Sequence, residues 1–209
     1  MPEIDFMSTL HKSTSRDYLA RVNDSKYPKP IAAELAKKWD FEYWDGDRRI
    51  NYGGYRYIHG RWDEVIKRMI KYYDLKKDCR ILDIGCGKGY MLYDFIRLIP
   101  DAKIHGIDIS EYALKNSKQE VKNNLVLGNA TKLPWPDNYF DLVVSITTLH
   151  NLKAYDLEQA LKEMERVGRN NKYLCVESYR NEKEKANLLY WQVTCEAFNT
   201  PKEWEWWFT

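Results

Sequence analysis

Hydrophobic positions recur along this chain with two periods. Between Arg61 and Asp74, Trp62, Ile66, Met69, Ile70 and Tyr73 fall at i, i+4, i+7, i+8 and i+11, which predicts a helix with one apolar face. Ile81, Leu82 and Ile84 then form a short apolar run of the kind that fills a strand buried on both faces. Tyr90, Met91, Leu92, Phe95, Ile96 and Ile99 return to helical spacing, and Pro100-Asp101 breaks the chain before a second strand over 102–107, closed by Asp108. A helix over 111–120 leads to a third strand over 124–128. A fourth strand covers 142–146, and Leu157, Leu161, Met164 and Val167 give the next helix its apolar face. Gly168-Arg169-Asn170-Asn171 reads as a turn into a fifth strand over 173–178. Residues 181–198 read as a helix, and Thr200-Pro201 as the cap and first position of another. Strands alternating with helices predict an α/β fold: a Rossmann-like, mostly parallel sheet with helices on both faces.

The first 60 residues follow neither period for long. Residues 1–28 are polar and mixed, with Ser13-Thr14-Ser15 and room for one short helix. A helix over 31–39 is expected after Pro28 and Pro30. Residues 40–62 mix glycines with aromatics, as in a loop that packs by its own side chains. Two units are expected: an N-terminal extension and lid over 1–60, and the α/β domain over 61–209.

Composition narrows the function classes. The chain has 209 residues with 33 basic and 31 acidic side chains, a net charge of +2, so no strong field draws it to nucleic acid or a membrane. No apolar run is long enough to span a bilayer. Cys79, Cys86, Cys175 and Cys195 form no C-x-x-C pair, and they read as free thiols of a cytoplasmic protein with no metal site. Aromatics are in excess, with 8 Trp and 16 Tyr, many of them outside the expected sheet.

The candidate chemistry starts where the first strand ends. Asp83 interrupts the apolar run, and Gly85, Cys86, Gly87, Lys88 and Gly89 make a glycine-rich turn before the helix, a ligand cradle at a helix N-terminus. A dinucleotide fingerprint needs a third glycine at position 90, where Tyr90 stands, and Asp83 would repel a pyrophosphate. Both features argue against an NAD-dependent oxidoreductase and for a ligand carrying positive charge.

Asp83, Gly85, Gly87 and Gly89, as D-x-G-x-G-x-G after a buried strand, resemble motif I of the class I S-adenosylmethionine-dependent methyltransferases. Leu133 to Asp141, Leu-Pro-Trp-Pro-Asp-Asn-Tyr-Phe-Asp, is similar to the run that family carries ahead of its fourth strand. The resemblance implies S-adenosylmethionine as cofactor, held by Asp83, Gly85, Cys86, Gly87 and Gly89. Asp108, at the end of the second strand, suits both ribose hydroxyls, though an acid there could also cap the helix that follows. The family also implies Ile109 packing on the adenine. Asn129 and Ala130 stand where the family usually has an acid and a small residue, and the Asn129 carbonyl can still accept from the adenine amino group. Backbone at Ser145 and Ile146 would meet the methionine end.

His150 emerges at the carboxyl edge of the sheet, where open α/β folds place their chemistry. It is the candidate general base for an acceptor hydroxyl, with a purely structural role as the alternative. Tyr52, Tyr55, Arg56, Tyr57, His59 and Arg61 are the candidate lid and acceptor contacts, or rings that glue the extension to the domain. The expected partner is a small-molecule acceptor. The 52–62 segment with motif I resembles small bacterial methyltransferases of cell-surface sugar pathways. That suggests a phosphorylated or nucleotide-linked sugar, against the alternatives of a nucleic-acid methyltransferase and a non-catalytic cofactor-binding subunit. The family's sixth and seventh strands find no residues here, so the edge beside the fifth strand is expected to be closed by a partner, such as a second copy in a homo-oligomer, or to reflect a lost C-terminus.

Overall fold

The computed structural model describes residues 3–10 and 17–208, so His11 and the Ser13–Ser15 reading lie outside the described residues. In chain order the helices are α1 (Tyr18–Val22), α2 (Lys29–Ala36), α3 (Phe41–Trp44), α4 (Asp63–Tyr73), α5 (Tyr90–Leu98), α6 (Glu111–Lys115), α7 (Ala154–Val167), α8 (Glu182–Trp191) and α9 (Pro201–Trp207). The strands are β1 (Arg80–Ile84), β2 (Lys103–Asp108), β3 (Leu125–Leu127), β4 (Phe140–Ile146) and β5 (Gly168–Cys175), all in parallel pairs in the order β3-β2-β1-β4-β5. The order reverses direction between β1 and β4, which opens a crevice at the carboxyl ends of those two strands.

Side chains alternate across the sheet and so fill two cores. Ile81, Leu142, Val144 and Tyr173 face α4 and α5 through Ile66, Met69, Leu92 and Phe95, with Phe6 and Met7 from the N-terminus joining them. Leu82, Ile84, Ile107 and Val143 face the other way, onto Leu157, Ala160 and Met164 of α7 and Trp204 of α9. A third cluster gathers Ala32, Ala36, Tyr43, Trp44 and Ile50 against Ala113 and Val193, so the N-terminal segment packs on the α/β unit through buried apolar surface.

The Rossmann-like sheet with helices on both faces and the N-terminal helical extension are as the sequence led us to expect; several boundaries moved. The expected turn at Gly168–Asn171 is strand, because Gly168 pairs with Phe140 and Asn171 with Leu142 across an irregular step. Val176 to Ser178 run past the last pairing, so β5 starts and ends earlier than its apolar residues suggested. The helix expected over 111–120 stops at Lys115, where Ser117 Oγ bonds back to the Leu114 carbonyl and the Lys118 N–H turns to Lys88. The helix over 181–198 ends at Trp191, and the segment after it lines the crevice. At α9, Thr200 and Glu203 form a reciprocal capping box with Pro201 in the first turn. Among the described residues, β5 is paired on the β4 side only.

Candidate functional site

A cleft of about 990 Å³ lies over the carboxyl ends of β1 and β4 and beneath residues 39–62. One wall is the glycine turn with the ends of β1 and β2. Gly85 and Gly87 have φ of 82° and 54°, a region open to glycine at little cost. Close neighbours exclude side chains there as well. A Cβ on Gly85 would sit 2.1 Å from Thr148 Oγ1, and one on Gly87 would sit 2.7 Å from Trp44 Cη2. The glycines thus admit two parts of the protein itself, the loop after β4 and the aromatic segment.

Asp83 is 5% exposed and lines the cleft, and its carboxyl makes no hydrogen bond among the described residues. Burial, and then the charge of Asp108, push its carboxyl up to about 8. Asp108 is also buried and raised by burial, but backbone donors oppose that rise. Its Oδ2 accepts from the Gly87 N–H at 2.7 Å and its Oδ1 from the Ser110 N–H at 2.8 Å. Ser110, not Asp108, caps α6 by accepting from the Ala113 N–H. The Asp108 carboxylate therefore ties the turn to β2 and keeps further lone pairs for a ligand.

Gly85, Cys86, Gly87, Ile109, Asn129, Ala130 and Ile146 all line the cleft. Asn129 Oδ1 accepts from the Thr131 N–H at 3.0 Å, so the carbonyl assigned to adenine already closes a local turn. Gly89 begins α5 as its N-cap and packs toward Val121 rather than lining the cleft. The Ser145 side chain is fully buried and bonds the Ile84 carbonyl at 3.0 Å, clamping β4 to β1.

The other wall is assembled from distant segments. Of the expected lid residues, Tyr52, Tyr55 and Arg61 line the cleft. Arg56 is exposed and outside it. Tyr57 donates to buried Asp94 at 2.6 Å and His59 lies beside Arg97, so both fasten the segment to α5. Lys88 is the second fastening: its Nζ reaches Asp45 at 2.6 Å and the Tyr55 carbonyl at 3.0 Å, while Tyr55 stacks on Tyr90. A lysine inside a glycine turn was the sequence signal for that tether, and it went unused.

His150 is 2% exposed and lines the cleft. Its Nδ1 accepts from the Glu177 N–H at 3.2 Å, and burial lowers its pKa to about 4. Both facts oppose the general-base role expected of it. Two further groups were missed. Asn151 lines the cleft with its amide donating to the Thr147 and Thr148 carbonyls, leaving Oδ1 buried without a partner among the described residues. Glu177, just beyond β5, also lines it, its Oε1 held by Gln192 Nε2 at 2.9 Å. An acid just beyond a parallel strand is the same signal that picked out Asp108.

S-adenosylmethionine carries a sulfonium and an ammonium group. Two buried carboxylates and an unpartnered amide oxygen on one cleft fit such a ligand, because each gains from positive charge or an N–H donor.

Residues 75–209 match the profile of a family described as "Methyltransferase domain". Over 119 residues the chain is 38% identical to an uncharacterised methyltransferase of Schizosaccharomyces pombe, covering 51% of this chain and 41% of that one. It is 36% identical over 117 residues to a demethylmenaquinone methyltransferase of Geobacillus kaustophilus, covering 52% and 47%. The chain thus spans less than half the length of these two curated relatives. Among solved structures, the YcgJ protein of Bacillus subtilis superposes with a TM-score of 0.56 at 22% identity, covering 68% of this chain and 65% of that one, a likeness of fold.

Proposed function

The chain belongs to the methyltransferase domain family, and on that footing we propose that it transfers the methyl group of S-adenosylmethionine to an oxygen of a small-molecule acceptor. The observation that carries this reading is the pair of buried carboxylates, Asp83 and Asp108, facing one cleft beside the glycine turn. Bound there, S-adenosylmethionine supplies an electrophilic methyl carbon on a sulfonium. Asp83 answers the ligand's positive charge, Asp108 offers its spare lone pairs to hydroxyls, and Ile109 and Ala130 give apolar contact. Thr148 and the β4 end close the floor. The protein's main task is alignment, since holding two reactants in line removes much of the entropic barrier.

Residues 1–60 act as extension and lid over a domain spanning 61–209, with Tyr52, Tyr55 and Arg61 on the acceptor. Rings beside Arg48 and Arg61 support an acceptor with negative charge, and a phosphorylated or nucleotide-linked sugar of bacterial surface-polysaccharide synthesis is the class we favour. Among the described residues no helix is long and apolar enough to cross a membrane. Residence in the cytoplasm belongs to the same proposal, in keeping with four free thiols.

Calorimetric titration with S-adenosylmethionine, S-adenosylhomocysteine and NAD tests this reading. Binding of the first two alone supports it. Tighter binding of NAD would overturn it.

A further inference from the structure

We propose that the acceptor oxygen enters the cleft already as an anion, a carboxylate or an acidic enol or phenol, and that His150 receives it as a hydrogen-bond donor. This rests on the methyltransferase reading and narrows the substrate class of the same site: on a sugar acceptor, the methylated oxygen is that of a sugar-acid carboxylate and not a hydroxyl.

His150 is held through both its ring and its backbone. The Glu177 N–H donates to Nδ1, and the His150 carbonyl accepts from the N–H groups of Glu196 and Ala197, each at 2.9 Å. With the Nδ1 lone pair committed, the hydrogen of a neutral imidazole sits on Nε2. Burial keeps the ring neutral. A neutral ring with one nitrogen accepting and the other protonated has no lone pair left for a proton from the acceptor. It can still donate from Nε2.

The charges that line the cleft agree. Asp83, Asp108 and Glu177 stand against Arg21, Arg48 and Arg61, and S-adenosylmethionine adds one net positive charge, because its sulfonium and ammonium exceed its carboxylate by one. A net positive remainder favours an anion. In the transfer, a lone pair of the acceptor oxyanion forms the O–C bond to the methyl carbon as the C–S bond breaks, and that electron pair stays on sulfur. The anion and the sulfonium are both neutralised and no proton moves, so no general base is required.

The test uses the full chain, labelled with ¹⁵N-histidine and saturated with S-adenosylhomocysteine, with His150→Gln identifying the His150 signal. At neutral pH the signal should be that of a neutral ring protonated on Nε2. Benzoate should shift it and bind about tenfold or more tighter than its neutral isostere benzamide, a gap of about 1.4 kcal/mol. His150→Gln, which keeps an N–H donor, should retain that preference, and His150→Leu should lose it. An Nδ1-protonated ring, an imidazolium, or equal binding of benzoate, benzamide and benzylamine would overturn the proposal. Failure of S-adenosylhomocysteine to bind would instead overturn the methyltransferase reading, and it is read from a separate titration.

Discussion

On the Asp83 side of the cleft, the wall comes from the ends of β1, β2 and β3 and the turn between β1 and α5. On the His150 side, it comes from segments scattered from Met7 to Thr194. The first wall is made of neighbours in a parallel sheet, where register alone puts Asp83 and Asp108 on adjacent strand ends. The second depends on long-range packing of an aromatic segment and of the chain beyond α8. The first can be written as a short spacing in sequence; the second has no spacing to write. They meet where Thr148 and Trp44 press on Gly85 and Gly87.

Breaking that seam should have the largest effect. Gly85→Ala puts a Cβ into the Thr148 side chain at a positive φ and should cost about 3 kcal/mol or more in chemical denaturation, the range of severe steric and backbone faults. Thr148→Ala in the same chain should recover part of the loss. Full loss in the double variant would assign the whole cost to backbone strain.

His150 comes next. Its folded pKa lies below the usual 6.5, so the unfolded chain binds the proton first as pH falls. The His150 contribution to stability should therefore be lost as pH drops from about 6.5 towards 4, by roughly 3 kcal/mol in full, against an opposite contribution from Asp83, whose raised carboxyl takes its proton in the folded chain first. His150→Gln should gain stability relative to the parent chain as pH falls through that range. No such gain would place the acid sensitivity elsewhere.

These expectations show which parts of the molecule were legible. Asp83, the glycines and Asp108 were readable because buried strands, turns and strand ends leave local signatures. The reason first given for the glycines, room for a ligand, was incomplete, since Thr148 and Trp44 come from distant parts of the chain. His150 was found by its place after β4, yet its hydrogen-bonding state depends on the Glu177 amide on another strand. Asn129 shows the same limit in reverse: its position was readable, and its local bond to Thr131 was not. Arg56, Tyr57 and His59 share a segment with Tyr55, but without helical or strand periodicity nothing local said which side chains face the cleft.

Smaller effects sharpen the contrast. Lys88→Met removes the buried tether to Asp45 and leaves that carboxylate short of a partner, at a cost of about 1–3 kcal/mol. It should speed hydrogen exchange over residues 40–57 more than in the sheet; uniform acceleration would mean that the segment is not held separately. Arg56→Ala, at an exposed position outside the cleft, should change stability by less than about 0.5 kcal/mol in the same denaturation assay.

The most direct test is the proton balance of cofactor binding. Burial and the neighbouring Asp108 hold Asp83 near pKa 8, so S-adenosylmethionine should drive its carboxyl to ionise. Calorimetry at neutral pH in two buffers of different ionisation enthalpy should show net proton release on binding. Affinity should rise with pH up to about 8, and Asp83→Asn should abolish the release and weaken binding about tenfold or more, the scale of one lost charge-assisted contact. Binding with no proton release, or with the same release in Asp83→Asn, would contradict the assignment of Asp83 to the ligand's positive charge.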